Sequence, residues 1–210
     1  MSRTRVLLVD DHAVVRQGYR RLLEREDNLA VVGEAGTGAE AYHEFCRLVP
    51  DVVVMDVSLP DVSGIEALRR MLAREPEARV LMFSMHEETI FPTRALEAGA
   101  RGYVTKASAP EVLVDAVRAV AAGTMYLSHD VAQALALKNV SDGAVDALSA
   151  REFEIMRLLV AGDSIAAIAE KLALSAKTVA NYQSSIRAKL GAENAAQLLA
   201  IAARHGLTGK

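Results

Sequence analysis

The first half of the chain alternates short, β-branched apolar runs with longer amphipathic segments, and this alternation restricts the possible fold more than any other feature. The apolar runs lie at 6–9, 31–32, 52–55, 80–83 and 103–104. The amphipathic segments lie at 14–24, 39–48, 65–72, 93–98 and 111–121. Continuous apolar strands that alternate with helices are typical of a parallel sheet covered on both faces. We therefore predict an α/β domain with a doubly wound, five-stranded parallel sheet.

The second half of the chain has a helical pattern without strands. Its periodicity predicts four helices over 149–161, 164–172, 175–189 and 194–205. Ser149 and Glu152 have the spacing of a capping box at the start of the first of these helices. We predict an α/β domain over 1–122, a linker over 123–146 with a candidate short helix at 131–137, and a small all-α domain over 147–210.

The overall composition excludes several classes of protein. Hydrophobic residues make up 51% of the 210 residues and charged residues 24%, which is the balance of a soluble globular protein. No apolar run approaches the roughly 18 residues of a membrane span. We expect no signal peptide, because only a short basic stretch precedes the first strand. The single cysteine, Cys46, excludes an intrachain disulfide and suits a reducing compartment. We expect a cytoplasmic protein with no membrane partner.

Charge is divided unevenly along the chain. Residues 1–146 contain 16 Lys and Arg against 22 Asp and Glu, whereas residues 147–210 contain 8 against 5. A basic half joined to an acidic half makes the basic half the candidate for binding a polyanion. Three net positive charges are also compatible with an ordinary solvated surface.

Carboxylates follow two strands of the predicted sheet. Asp10 and Asp11 come directly after the first strand, and Asp56 follows the third. Because ligands of doubly wound sheets gather beyond the carboxyl ends of the strands, we expect these side chains to converge. Like charges so close require raised pKa values or a cation, and an all-oxygen ligand set suits Mg²⁺.

Two further side chains complete this set, because Ser84 ends the fourth strand and Lys106 ends the fifth. A carboxylate nucleophile, a divalent metal, a hydroxyl and a lysine are the groups that in-line phosphoryl transfer requires. Each residue alone has a plainer explanation, as a helix cap or a solvated side chain. Their coincidence at four strand ends favours a phosphoryl-transfer pocket.

These residues lie in motifs that resemble the receiver domain of two-component response regulators. The resemblance spans about residues 4–122 and is carried by segments 6–12, 50–56, 59–64 and 98–106. It implies that a sensor histidine kinase phosphorylates Asp56. It also implies that Asp11 ligates Mg²⁺ directly and Asp10 largely through water, with Asp56 and the backbone carbonyl of Ser58 completing the set.

The same resemblance assigns the remaining residues of the pocket. Lys106 pairs with the phosphoryl oxygens, Ser84 hydrogen-bonds them, and Tyr103 is an aromatic switch that turns inward as Ser84 moves. Ser58 and His86 flank the path of the attacking water, so we expect them to set the lifetime of the phosphorylated state.

Two positions depart from the receiver pattern. Ala107 follows the lysine where many receivers have a proline after a cis bond, which leaves the geometry of that loop open. Pro92 lies near the start of the fourth helix, where it is harmless in the first turn but would kink the helix further in.

Two helices of the C-terminal half have a helix-turn-helix layout. A three-residue turn at 173–175 joins them, and the second helix would enter the major groove of DNA. Its outer face carries Lys177, Ala180, Asn181, Ser184 and Arg187. A compact all-α domain that binds protein is the alternative.

Segments 148–152, 168–169, 174–179 and 189–191 resemble the LuxR-type domain of the NarL/FixJ response regulators, over about residues 147–208. The resemblance implies base contacts from Ala180, Asn181 and Ser184, with Lys177 and Thr178 near phosphates. The predicted DNA-contacting set is Ser175, Lys177, Thr178, Ala180, Asn181, Ser184 and Arg187.

The predicted recognition helix is poor in cations. Ala180 and Tyr182 stand where relatives commonly carry lysine and histidine, and fewer phosphate contacts mean weaker binding. We therefore expect phosphorylation to favour a homodimer that binds two half-sites. The predicted helix 194–205 offers apolar residues for a self-complementary surface, namely Ala195, Leu198, Leu199 and Ala202.

Three functions compete. The favoured one is a phosphorylation-gated transcription factor that binds double-stranded promoter DNA and is not an enzyme. The second is a phosphatase of the haloacid-dehalogenase type, which typically carries a second Asp where this chain has Ser58. The third is a binding protein with a vestigial receiver, against which the complete set of pocket residues argues.

Overall fold

The computed structural model describes residues 3–137, 145, 147–205 and 207 of the chain. The chain forms two compact units, Met1–Leu137 and Lys138–Lys210. Residues 138–144 and 146 of the predicted linker lie outside the described residues, and the predicted domain boundaries stay a prediction.

The first unit is a parallel sheet with helices between its strands. Its elements are β1 (Thr4–Val9), α1 (Ala13–Glu24), β2 (Leu29–Ala35), α2 (Gly38–Leu48), β3 (Val52–Met55), α3 (Gly64–Arg74), β4 (Val80–Ser84), α4 (Ile90–Glu97), β5 (Gly102–Thr105), α5 (Pro110–Ala121), β6 (Tyr126–Leu127) and α6 (His129–Leu137). The strand order is β2-β1-β3-β4-β5-β6, and all pairs are parallel. The order reverses direction between β1 and β3, as the predicted doubly wound fold requires.

A short sixth strand extends the five that the sequence predicts. Tyr126 and Leu127 pair with Gly102 and Tyr103 of β5, and α6 follows at once. A Cβ atom on Gly102 would lie 2.5 Å from the carbonyl oxygen of Tyr126, so this close approach requires glycine. Residues within the predicted linker segment 123–146 therefore form part of the first unit.

The central strands carry buried residues on both faces, which is why their sequences read as continuous apolar runs. Every residue of β3 and β4 is buried. The register pairs Val9 of β1 with Met55 of β3, and the N–H of Asp56 donates to the carbonyl of Val9. The residues that follow these two strands are therefore neighbours.

The fourth helix begins three residues before the predicted segment. It starts at Ile90, so Pro92 is its third residue and lies in the first turn, where a missing N–H is harmless.

The second unit consists, in the part that the structure describes, of α7 (Ala150–Val160), α8 (Ile165–Lys171), α9 (Ala176–Leu190) and α10 (Ala195–Arg204). Its core contains Ile155, Ile168, Val179 and Ile186, all fully buried. The predicted capping box of Ser149 and Glu152 is present. Each of the other three helices also begins with a side-chain cap, from Ser164, Ser175 and Asn194.

The turn between α8 and α9 spans four residues, 172–175, one more than predicted. Ala173 in this turn has φ 53°, a left-handed conformation that is uncommon for a residue with a Cβ atom. No glycine marks the position, so the sequence offered no signal for it.

Candidate functional site

The carboxyl ends of three strands bring two aspartates and a lysine together. Asp10 and Asp56 are each 5% exposed. The Lys106 Nζ atom lies 2.7 Å from Asp10 Oδ2 and 2.5 Å from Asp56 Oδ2. Three of the five predicted pocket residues thus meet in one buried cluster. The Lys106–Ala107 peptide bond that follows is trans.

Burial and charge act in opposite directions on these groups. Burial raises the pKa of Asp56, and the ammonium group of Lys106 offsets part of that rise. Burial alone would lower the pKa of Lys106, but the two carboxylates raise it above its ordinary value. The lysine therefore remains charged at neutral pH and compensates the buried aspartates.

The donor set fits a hard divalent cation. The two buried carboxylates already share one cation, the Lys106 ammonium group, so they face a common point of positive charge. Asp11 is adjacent and more exposed, and its Oδ1 atom lies 2.6 Å from Nδ1 of His12. Ligand atoms of Asp10, Asp11 and His12 lie within 4.8 Å of one another. Oxygen ligands with access to water are those that Mg²⁺ prefers.

The loop after β3 folds back tightly against Asp56. The N–H of Ser58 donates to Asp56 Oδ1 over 3.1 Å, and the N–H of Gly64 donates to the carbonyl of Val57. A Cβ atom on Gly64 would lie 1.8 Å from the carbonyl oxygen of Asp56. Glycine is therefore required for the loop to approach the strand end this closely.

Ser84, the last residue of β4, and Tyr103 of β5 are both fully buried. The Tyr103 hydroxyl donates to the carbonyl of His86 over 2.9 Å, so this ring already points inward. The N–H of His86 donates to Ser84 Oγ over 3.3 Å. The predicted switch residue and the predicted phosphoryl-binding hydroxyl are thus joined through His86.

A side-chain hydrogen bond joins the loop after β3 to the loop after β4. Ser58 Oγ lies 2.8 Å from His86 Nε2, and the His86 ring stacks on Phe91 with centroids 4.0 Å apart. The sequence singled out Ser58 and His86 but gave no sign of their mutual hydrogen bond or of the contact with Phe91. The resemblance to receiver domains was the signal that identified the first two, and it pointed to no role for Phe91.

In the second unit, most of the predicted DNA-contacting side chains lie on the outer face of α9. Ser175, Lys177, Asn181 and Ser184 are exposed, and the other three are half-buried. The N–H of Thr178 donates to Ser175 Oγ, and Ser184 donates to the carbonyl of Ala180. Ser175 is thus the helix cap, and the Ser184 hydroxyl retains accepting capacity for an outside donor.

A buried carboxylate fixes α9 against α7. Glu152 is 4% exposed and accepts hydrogen bonds from Ser185 Oγ, Lys189 Nζ and the N–H of Ser149, all at 2.7 Å. Burial alone would raise the pKa of Glu152, but these bonds lower it to about 2. The capping-box spacing identified Glu152, whereas its bonds to α9 had no sequence signal.

The face of α10 differs from the predicted surface. Leu198 and Ala202 are buried in the core of the unit itself. Ala195 and Leu199 are exposed, as predicted. Exposed apolar residues three and four positions apart form one face of the helix, at Ala196, Leu199, Ala200 and Ala203. We call these four residues the α10 stripe.

Family models match both units. The response regulator receiver domain matches residues 6–118, and the luxR family of bacterial regulatory proteins matches residues 146–202. With an acidic pocket in one unit and a helix-turn-helix in the other, these matches define the class of protein as a transcriptional response regulator. Among the described residues, no helix has the length and apolar character needed to span a membrane.

Full-length relatives place the chain more closely. It is 43% identical over 207 residues to the response regulator GacA of Pseudomonas viridiflava, with 97% of both chains covered. It is 39% identical to the response regulator UvrY of Escherichia coli K12, with 96% of this chain and 94% of that chain covered. The chain therefore belongs to the NarL/FixJ family of response regulators.

Solved structures agree with this placement. The response regulator RcsB of Salmonella typhimurium is 28% identical, with 100% of both chains covered and a TM-score of 0.79. A LuxR-family two-component response regulator from Aurantimonas is 50% identical and covers 64% of this chain, with a TM-score of 0.63. A further RcsB structure, at a TM-score of 0.77, is bound to the promoter P1flhDC in the presence of the phosphomimetic BeF₃⁻.

Proposed function

We propose that Asp56 accepts a phosphoryl group from a sensor histidine kinase, and that this modification controls binding of the second unit to promoter DNA. The observation that carries the proposal is the shared contact of Lys106 with the buried carboxylates of Asp10 and Asp56. Side chains with large desolvation penalties persist together where function requires them.

In the proposed reaction, an Asp56 carboxylate oxygen forms a bond to phosphorus while the bond from phosphorus to the donor breaks. Lys106 then moves its charge from the two carboxylates to the phosphoryl oxygens, and the Ser84 hydroxyl donates to one of them. Asp10, Asp11, Asp56 and the Ser58 carbonyl would hold Mg²⁺. When bound, Mg²⁺ supplies positive charge that neutralises the phosphoryl oxygens.

The output would depend on Tyr103 and on dimerisation. Tyr103 and Ser84 both contact His86, so a shift of Ser84 toward a phosphoryl group changes the surroundings of the tyrosine ring. The phosphorylated chain would then dimerise and place two copies of α9 on two DNA half-sites in the cytoplasm. The promoter-bound structure of RcsB with BeF₃⁻ supports this proposal by analogy.

Phosphorylation of the full chain by acetyl phosphate with Mg²⁺ tests the first step. Wild type should show a shifted band on a phosphate-affinity gel, and Asp56→Asn should show none. Asp115→Asn makes the same change at an exposed position of α5 and should be labelled like wild type. Undiminished acid-labile phosphate on Asp56→Asn would place the phosphoacceptor elsewhere.

DNA footprinting with and without acetyl phosphate tests the second step and separates the competing functions. A regulator should protect DNA more strongly after phosphorylation. Protection that ignores the phosphodonor would indicate a phosphorylation-independent binding protein. Rapid multiple-turnover release of phosphate from the donor, without accumulation of modified protein, would indicate a phosphatase.

A further inference from the structure

The turn that presents Lys106 is held from outside the matched receiver segment 6–118. Thr105 ends β5 directly before Lys106 and is 1% exposed. Its Oγ1 atom lies 2.7 Å from Oδ2 of Asp130, a surface residue in the first turn of α6. The residue that precedes the proposed phosphoryl-binding lysine is therefore tied to a different element of the unit.

The direction of the hydrogen bonds in this turn can be assigned. Thr105 has one hydroxyl hydrogen, and the Asp130 carboxylate can only accept, so Thr105 donates to Asp130. The Ser108 hydroxyl, 3.0 Å away, must then donate to Thr105 Oγ1. The backbone closes the same turn, because the N–H of Ser108 donates to the carbonyl of Thr105. The chain Ser108–Thr105–Asp130 thus fixes both ends of the turn around Lys106.

The position of Lys106 depends on this turn through its backbone. The N–H of Lys106 donates to the carbonyl of Ser84 over 2.8 Å, and Ser84 pairs with Thr105 across the two strands. α6 is itself seated on β5, since the N–H of Ser128 donates to the carbonyl of Tyr103 and Val131 is 1% exposed. Asp130 therefore acts on Lys106 from an anchored helix.

We propose that Asp130 is a positioning residue for Lys106, and that its bond to Thr105 couples the phosphoryl-transfer pocket to α6. The inference rests on the proposed function of the pocket. α6 is the last described helix before residues 138–144, through which the chain continues to the DNA-binding unit. Coupling between two sites is reciprocal. If the α6 contact changes the free energy of phosphorylation by holding Lys106, phosphorylation changes the stability of the α6 contact by the same free energy.

Substitutions at both ends of the bond test the proposal in the full-length protein. Thr105→Val removes the hydroxyl without touching α6 and should slow phosphorylation by acetyl phosphate about three- to tenfold, because small misplacements of a catalytic group have effects of this size or larger. Asp130→Ala should have the same effect. Thr105→Ser retains the hydroxyl and should keep the wild-type rate, as should the control Asp115→Ala.

Two readouts separate positioning from general damage. The Mg²⁺ concentration that gives half the maximal rate should stay unchanged in Thr105→Val and Asp130→Ala, whereas a distorted pocket would change it. The double variant should be no slower than either single variant, since both remove one bond. In the wild type, BeF₃⁻ with Mg²⁺ should alter hydrogen exchange in α6, and Thr105→Val should weaken that response.

The possible failures are distinguishable. If wild type takes up no phosphoryl group, the proposed function fails and this inference fails with it. If wild type is phosphorylated and Thr105→Val reacts at the same rate, only the role of Asp130 is overturned. A loss in the double variant that equals the product of the two single losses would also overturn it, because the two side chains would then not act through a shared bond.

Discussion

In the first unit three of the side chains proposed for phosphoryl transfer are buried and touch one another, whereas in the second unit most of the predicted DNA-contacting side chains are exposed. Asp10, Asp56 and Lys106 form one cluster in which each group compensates another. Lys177, Asn181 and Ser184 instead project from one helix face. In a buried cluster each side chain contributes a large part of the function, whereas on an exposed face many side chains each contribute a small part of the binding energy. We therefore expect single substitutions to have large effects in the pocket and small ones on the DNA-binding face.

The largest effect is expected from Lys106→Met. It removes the cation that both buried carboxylates share, and with it the charge proposed to stabilise the phosphoryl group. Loss of one such electrostatic group costs about a hundredfold or more in rate. Phosphorylation by acetyl phosphate, followed over time on phosphate-affinity gels, measures it. Lys177→Met is the control, because it removes an exposed lysine in the other unit and should leave the rate unchanged. A loss below threefold in Lys106→Met would contradict the large contribution expected of each pocket residue.

The next largest effect is expected from Gly64→Ala. The new Cβ atom would meet the carbonyl oxygen and carbon of Asp56 at 1.8 and 2.8 Å, and these backbone atoms cannot move aside easily. We expect the first unit to lose about 3 kcal/mol of stability, at the upper end for overpacking. Gly18→Ala in α1 is the matched control, since its Cβ would meet nothing within 4 Å, and it should stabilise the helix by about 0.5–1 kcal/mol.

Urea unfolding monitored by hydrogen exchange in β3 compares these two variants. The measurement is confined to the first unit, so unfolding of the second does not disturb it. Equal stability of Gly64→Ala and wild type would show that the loop after Asp56 can relax.

The sequence predicts features that depend on periodicity and on strand ends, and it misses contacts between distant positions. Strand periodicity and the position of Asp10, Asp56, Ser84 and Lys106 at strand ends identified the pocket, because a parallel sheet brings such ends together. β6 was missed because Tyr126 and Leu127 include no β-branched residue and follow the last predicted helix, where the alternating pattern ends. The Asp130–Thr105 bond also escaped, since it joins positions 25 residues apart whose types alone are unremarkable.

The second unit shows the same limit. Capping rules identified Ser149 and Glu152 because their spacing is local. The bonds from Glu152 to Ser185 and Lys189 span more than thirty positions and depend on how α7 packs on α9. Periodicity likewise placed apolar residues on α10 but could not say which face packs inward, so Leu198 and Ala202 were predicted for a surface that they do not reach.

A moderate effect is expected from Glu152→Gln. Glu152 is a buried carboxylate of the second unit, as Asp10 and Asp56 are of the first. The substitution removes the charge partner of Lys189 and should cost about 2 kcal/mol of stability. The folded-state pKa of about 2 lies below the ordinary 4.5, so this contribution is present above the ordinary value and is lost as pH falls from about 4.5 to about 2. Thermal unfolding should therefore separate variant from wild type at neutral pH and bring them together in acid.

Glu170→Gln, at an exposed position of α8, is the matched control and should change the unfolding temperature little. A constant difference between Glu152→Gln and wild type at every pH would show that the carboxylate charge is not what stabilises the contact of α9 with α7.

A smaller effect is expected on the DNA-binding face. Asn181→Ala should reduce discrimination between sequences by about 1 kcal/mol, because an asparagine can bond an adenine edge. Lys177→Ala should weaken binding to all sequences alike and lower the salt dependence, as loss of one phosphate contact does. Binding curves on specific and scrambled duplexes at two salt concentrations separate these outcomes. The same loss of discrimination in both variants would remove the distinction between base reading and phosphate contact.

The smallest effect, and the one that tests distributed binding most directly, is expected from Leu199→Asp. Leu199 is 48% exposed and is the only large side chain of the α10 stripe, whose other members are alanines. A stripe of this kind buries little area, so it cannot hold two free chains together strongly. On one duplex, however, two neighbouring copies meet at high effective concentration, and a weak contact is then enough to raise joint occupancy.

We expect Leu199→Asp to reduce cooperative binding to a double half-site several-fold, while binding to a single half-site and phosphorylation of Asp56 stay unchanged. Gln197→Glu adds a negative charge to α10 outside the stripe and should leave cooperativity intact. If a lone half-site binds wild type as tightly as the pair does, the second unit gains nothing from a neighbouring copy. Its binding energy would then come from the contacts of a single copy.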